Sequence, residues 1–166
     1  MLNSKIQDAF NEQLNEELFS SYLYLSMAAY FEAQNLTGMA HWMRLQHAEE
    51  HEHGMKFFDF INNRGGRVML AKIKEPKTNW ESPLDAFEDA CGHEAKVTGL
   101  INRLVELSQA EKDPAAGTFL QWFVTEQVEE EATVQAIKDN LKLAGGNTVA
   151  LFMIDRELGQ RSAEAG

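Results

Sequence analysis

Four acidic residues stand where helical spacing asks for an apolar side chain, and one of them has a histidine three positions on. The first such stretch reads inward as Phe10, Leu14, Glu17, Ser21, Tyr24 and Ala28. A second reads Met43, His47, Glu50, His53 and Phe57, and a third Phe87, Cys91, Glu94, Thr98, Ile101 and Val105. The fourth is Leu120, Phe123, Gln127, Glu130, Val134, Ile137 and Leu141. Steps of three and four residues hold one face of a helix toward a core, and an isolated ionised carboxylate is very costly to bury. No Lys or Arg shares these registers, so four converging acids call for a bound cation. Glu50 and His53 lie almost one turn apart on one face and can reach the same ion. Glu17 and Glu94 are then single acids, and Gln127 with Glu130 forms the second i,i+3 pair. One ion gains an imidazole and its neighbour is held by oxygen alone. That donor set suits Fe(II) and Fe(III), whereas Cu(I) and structural zinc usually recruit thiolate.

Four long helices must carry these residues. Helix punctuation places them at about 4–34, 37–64, 83–112 and 115–144, with a short fifth helix at about 148–158 and a polar tail, 159–166, expected to fray. Gly65-Gly66 and Gly145-Gly146 stop the second and fourth helices. Ser82-Pro83 is a good cap and first-turn pair for the third, and Asn147 or Thr148 can cap the fifth. The connection from Arg67 to Ser82 is long enough to cross the length of a bundle. The expected fold is all-α: a single domain, residues 1–166, forming a ferritin-like up-down four-helix bundle with one long crossover and a short C-terminal helix.

Composition narrows the partners. The 166 residues carry 15 basic against 26 acidic side chains, a formal net charge of −11. That balance argues against nucleic acid and anionic membrane, and favours cations. No apolar run approaches the roughly 20 residues that span a bilayer. The start, Met1 to Lys5, leads into helical patterning and not a secretory segment. A single cysteine, Cys91, reads as a small core residue and fits a reducing cytoplasm. The three tryptophans read as packing or interface anchors, and the interior methionines as core filler.

The chain resembles bacterial non-haem ferritins, close in pattern to the A-type ferritins of enteric bacteria. The likeness is carried by Asn11-Glu12-Gln13-Leu14-Asn15, His47-Ala48-Glu49-Glu50, Phe119-Leu120-Gln121-Trp122-Phe123, Glu126 to Glu131 and Phe152-Met153-Ile154-Asp155. It implies a diiron ferroxidase centre at Glu17, Glu50, His53, Glu94, Gln127 and Glu130, with Tyr24 beside it. It also implies a third iron site at Glu49, Glu126 and Glu129. Tyr24 reads equally as packing with its hydroxyl tied to a ligand carboxylate, or as a redox-active neighbour. The resemblance implies oxidation of Fe(II) by O2 or H2O2 and storage of the Fe(III) mineral inside a hollow homo-24-mer.

Departures refine the expectation. Haem-binding relatives carry methionine just before the ligand histidine that matches His53; here that position is Glu52, so no haem is expected. Animal ferritins line their threefold pores with acids at positions that fall here on Gly117 and Leu120. His51 lies about 100° around the helix from Glu50, where it either faces solvent or supports a ligand from behind. Two other readings stand beside storage. One is a diiron oxidase or peroxide-detoxifying enzyme without bulk storage, against which the chain has no Cys-x-x-Cys electron donor. The other is a DNA-protecting mini-ferritin, which would lack the terminal helix and place its iron between subunits.

Overall fold

The helix starts are set by side chains that accept otherwise unsatisfied backbone N–H groups. The computed structural model describes residues 1–163 and contains five helices: α1 (Ser4–Ala33), α2 (Thr37–Asn63), α3 (Pro83–Ala110), α4 (Pro114–Ala144) and α5 (Thr148–Leu158). Asn3 accepts from the Lys5 N–H at 2.8 Å, Ser82 from Asp85 at 3.1 Å and Asn147 from Ala150 at 3.0 Å. Asp113 accepts from Ala116 at 3.0 Å and also takes both arms of the Arg64 guanidinium, at 3.1 and 3.0 Å. That fork ties the end of α2 to the start of α4. Leu36 offers α2 no acceptor; Asp155, from α5, supplies one to Met39 N–H at 2.8 Å.

Three-residue turns fold α1 onto α2 and α3 onto α4, with Asn35 (φ 58°) and Lys112 (φ 53°) reversing the chain. The crossover runs up α1 in an ordered way. Asn11 donates to the Arg67 carbonyl and accepts from Met69 N–H, Asn15 donates to the Lys72 carbonyl, and Ser26 donates to the Lys77 carbonyl. Ascending partners on both sides mean that the crossover is parallel to α1. It delivers α3 to the end where α1 finishes, where Phe31 meets Phe87 with ring centroids 5.8 Å apart. This is the ferritin-like bundle with its long crossover.

The apolar core is divided in two. Tyr24, Met27, Phe31, Met43, Phe87 and Val134 belong to one cluster, and Phe10, Leu14, Phe57, Ile101 and Phe123 to the other. Between them, near the middle of each long helix, lies a layer of buried polar side chains. The core face of α3 is turned relative to the sequence reading: Ala90, Val97 and Leu104 are buried, while Cys91, Thr98 and Val105 are half-buried. Both series flank the shared line Phe87–Glu94–Ile101 and are similarly apolar, so periodicity alone does not choose between them. The tail also departs from expectation. Gly159 to Arg161 fold back on α2, through a 2.8 Å contact between His41 Nε2 and the Arg161 carbonyl. The remainder of the expected fraying segment, from residue 164, lies outside the described residues.

Candidate metal centre

Each long helix contributes to the central layer from its own inward face. Glu17 comes from α1, Glu50 and His53 from α2, Glu94 from α3, and Gln127 with Glu130 from α4. The six are between 1% and 6% exposed, so water does not solvate these charges.

Glu17, Glu50 and His53 present ligand atoms that all lie within 4.8 Å of one another. Donors on opposite sides of one transition-metal ion, at bonds of about 2.1 Å, stand about 4 Å apart, so the spacing fits a single ion. Glu17 accepts from Gln13 at 2.8 Å through one oxygen, and its other oxygen is buried without a hydrogen-bond donor. His53 Nδ1 lies 3.4 Å from Glu50, and its ring packs edge-on against Trp122 and Phe123. An acceptor-only oxygen enclosed beside a second carboxylate and an imidazole is a place for a cation or a proton.

A second group brings His53 together with Glu126 and Glu130. Glu94 belongs to neither group. It accepts from the Tyr24 hydroxyl and, at 3.1 Å, from the Gln127 amide, which also donates to Thr98 at 3.2 Å. Of the acids assigned to a third site, Glu126 lies with His53 and Glu130, Glu49 pairs with Arg161 at 2.6 Å, and Glu129 is exposed.

Burial raises all four central acids. It is the largest influence on Glu17 and Glu50, both held well above the usual carboxylate range; the charge of Glu50 adds to it at Glu17, and the charges of Glu94 and Glu130 add to it at Glu50. Glu94 is raised less freely because Tyr24 and Gln127 donate to it. Glu130 is pushed up to about 8 by burial and by Glu94, against the opposing hydrogen bond from Gln46. Tyr24 is held well above its ordinary value by burial and by Glu94, so its hydroxyl keeps its proton and remains a donor. His93, paired at 2.7 Å with Ser20 beside this layer, is brought down to about 4 by burial and stays neutral.

Sequence reading missed the supporting polar groups. Gln13 and Gln46 each sit four residues before a central acid, on the same helix face, and each donates to it, at 2.8 and 3.4 Å. That i,i+4 spacing is a signal that could have found both. Gln46 further donates to Glu130 at 2.7 Å. Nothing local points to Arg161, which comes from beyond α5 and reaches Gln46 at 2.9 Å.

Comparison with known proteins bears on the family of the chain. A family model described as a ferritin-like domain matches residues 7–144. A bacterial non-heme ferritin from Bacteroides fragilis is 47% identical over 161 residues, covering 97% of this chain and 100% of its own. One from Staphylococcus saprophyticus is 39% identical over 162 residues, covering 98% and 97%. Among solved structures, an open-pore ferritin from the hyperthermophilic archaeon Archaeoglobus fulgidus superposes with a TM-score of 0.97 at 49% identity, covering 98% of this chain and 100% of that one. An engineered closed form of the same archaeal ferritin gives 0.98 at 48%, covering 99% and 100%.

Proposed function

The chain belongs to the ferritin family, and on that premise we propose that it oxidises Fe(II), its substrate, with O2 or H2O2 in the central layer and stores the Fe(III) product as mineral. The observation that carries this reading is the mid-bundle layer itself: four raised acids and a histidine, with one Glu17 oxygen buried and lacking any donor.

Glu17, Glu50 and His53 hold one ferrous ion. Glu94, Glu130 and Gln127 serve the second, with Glu50 shared between the two. The proton that Glu130, raised to about 8, holds at neutral pH leaves as the ions arrive. Two ferrous ions side by side can deliver two electrons to one oxidant molecule. Oxidation raises the charge of each ion and favours its hydrolysis to ferric oxyhydroxide. Tyr24 keeps Glu94 oriented by donating to it. The product leaves by way of Glu126, Glu49 and Glu129, toward a compartment that a single bundle does not possess.

Storage therefore depends on assembly, which we assign as a homo-24-mer in the cytoplasm. Val149, Phe152 and Met153 on α5 are each more than half exposed in the isolated chain, an apolar set that a subunit interface would cover. Twenty-four copies at −11 carry −264 formally (24 × −11), and inward-facing acids would concentrate cations. No helix among the described residues is long and apolar enough to cross a membrane.

The test is anaerobic Fe(II) loading followed by rapid mixing with O2, recording absorbance and particle size together. Fast oxidation at about two irons per chain, then mineral retained in particles of about 24 chains, is the expected result. Glu17→Ala and His53→Ala should abolish the fast phase; if both leave it intact, the assignment fails. Fast oxidation by a small species that retains no mineral would instead make the protein a diiron oxidase.

A further inference from the structure

The segment after α5 turns back along α2 and lays an arginine across the edge of the metal centre. Gly159 approaches Gly38 so closely that a Cβ on Gly159 would lie 3.2 Å from the Gly38 Cα. The Arg161 carbonyl meets His41, and its guanidinium lies 4.6 Å over the Trp42 ring. The side chain then forks. Nη1 donates to Gln46 Oε1 at 2.9 Å and Nη2 to Glu49 Oε2 at 2.6 Å. Gly38, Trp42, Gln46 and Glu49 follow one another at helical spacing, so a single stripe of α2 receives the segment.

Both acceptors matter to the centre. With its carbonyl oxygen engaged by Arg161, Gln46 turns its amide nitrogen to Glu130 at 2.7 Å. Glu49 has its other oxygen buried and without a donor. The ion pair is largely screened from water, with Arg161 and Glu49 side chains 18% and 21% exposed. A guanidinium is a fixed positive charge that does not titrate near neutral pH. It occupies the acid through which an ion beyond the central pair would be bound.

We propose that Arg161 is a tethered cation and positioning residue: it neutralises Glu49 and orients Gln46 against Glu130, so that an ion binding at Glu49 competes with it. The inference rests on the reading of the central layer as a two-ion site with Glu49 on the product's path. Arg161 thereby limits occupancy beyond the first two ions while Glu49 remains available to a third.

The experiment is calorimetric titration of the full-length assembled protein with Zn(II), a redox-silent probe, in wild type, Arg161→Gln, Arg161→Lys and the double variant Arg161→Gln/Glu49→Gln. Wild type should bind two ions per chain tightly and a third weakly. Arg161→Gln should tighten the third by about tenfold, roughly what one charge-assisted hydrogen bond supplies. Arg161→Lys keeps the charge without the fork and should fall between. The double variant should lose the gain. A loss of packing alone would not tighten ion binding, so the direction separates competition from a structural role. Unchanged or weakened third-ion binding in Arg161→Gln overturns the proposal while leaving the two-ion reading intact. Wild type that binds no ions overturns both.

Discussion

A Cβ on Gly38 would stand 1.7 Å from the carbonyl oxygen of Asp155, so the first turn of α2 and the last turn of α5 touch backbone to backbone. The approach lets the Asp155 carboxylate accept the Met39 N–H at 2.8 Å and cap a helix whose own N-cap residue, Leu36, cannot. Gly38 is in ordinary helical backbone, so glycine is required there by space and not by conformation. The contact docks α5 and sets the direction in which Arg161 emerges.

Gly38→Ala should therefore destabilise the protein by about 1–3 kcal/mol, the usual cost of forcing atoms into a packed site. Asp155→Ala should cost about 1 kcal/mol through loss of the cap, and Asp155→Asn less, because it retains an acceptor. Urea midpoints of the three variants test the order. A Gly38→Ala protein as stable as wild type would mean that α5 does not dock as described.

The raised pKa of Glu130 has a definite consequence for the metal-free protein. Its folded value of about 8 exceeds the ordinary 4.5, so between these pH values the native state holds a proton that the unfolded chain has released. Stability then falls as pH rises through that window and is recovered below it. Glu130→Gln removes this contribution. The melting temperature of the variant should fall less than that of wild type between pH 5 and 8, when both are followed calorimetrically without metal. Parallel curves would show that Glu130 is not raised.

Loading the centre should expel the same protons. Zn(II) or anaerobic Fe(II) binding at pH 7 should release protons in proportion to the acids still protonated there, and fewer at pH 9, above the Glu130 value. Titration in buffers of different ionisation enthalpy measures the number directly. Heats independent of buffer at pH 7 would contradict the assignment of these acids as ligands.

Tyr24→Phe deletes a hydroxyl donor from a carboxylate that is 1% exposed and leaves Glu94 with Gln127 alone. Losing one donor to a buried acceptor costs about 1–3 kcal/mol. The variant should bind Zn(II) at the central layer about tenfold more weakly. It should still assemble, since the phenylalanine ring fills the same apolar space. Unaltered affinity would reduce Tyr24 to a packing residue.

Loading should also stabilise the fold, because the proposed ligands come from four helices and exist as a set only in the native state. At a free ion concentration about 100 times Kd, the gain is about 2.7 kcal/mol. A shift in melting temperature with Zn(II), absent in Glu17→Ala, is the expected result.

Much of the site was readable because its residues violate a strong local rule. Glu17, Glu50, Glu94 and Glu130 occupy the inward line of four amphipathic helices, and period 3.6 marks that line without any knowledge of the fold. The helix caps at Ser82 and Asn147 were similarly local, since a side chain two or three residues from a free N–H satisfies it. The face of α3 was less well marked, because Ala90-Val97-Leu104 and Cys91-Thr98-Val105 flank the same acid.

What the sequence determined by itself is the helical class, the crossover and the central acids, products of spacing along single chain segments, together with the family, which resemblance over the whole chain carried. The tertiary structure alone decided how those acids are supported and which are free. It set Gln46 against Glu130, Tyr24 and Gln127 against Glu94, and Arg161 on Glu49 across 112 positions of sequence. These pairings depend on how helices pack and where α5 directs the chain. Periodicity within one helix carries no information about side chains that approach from another.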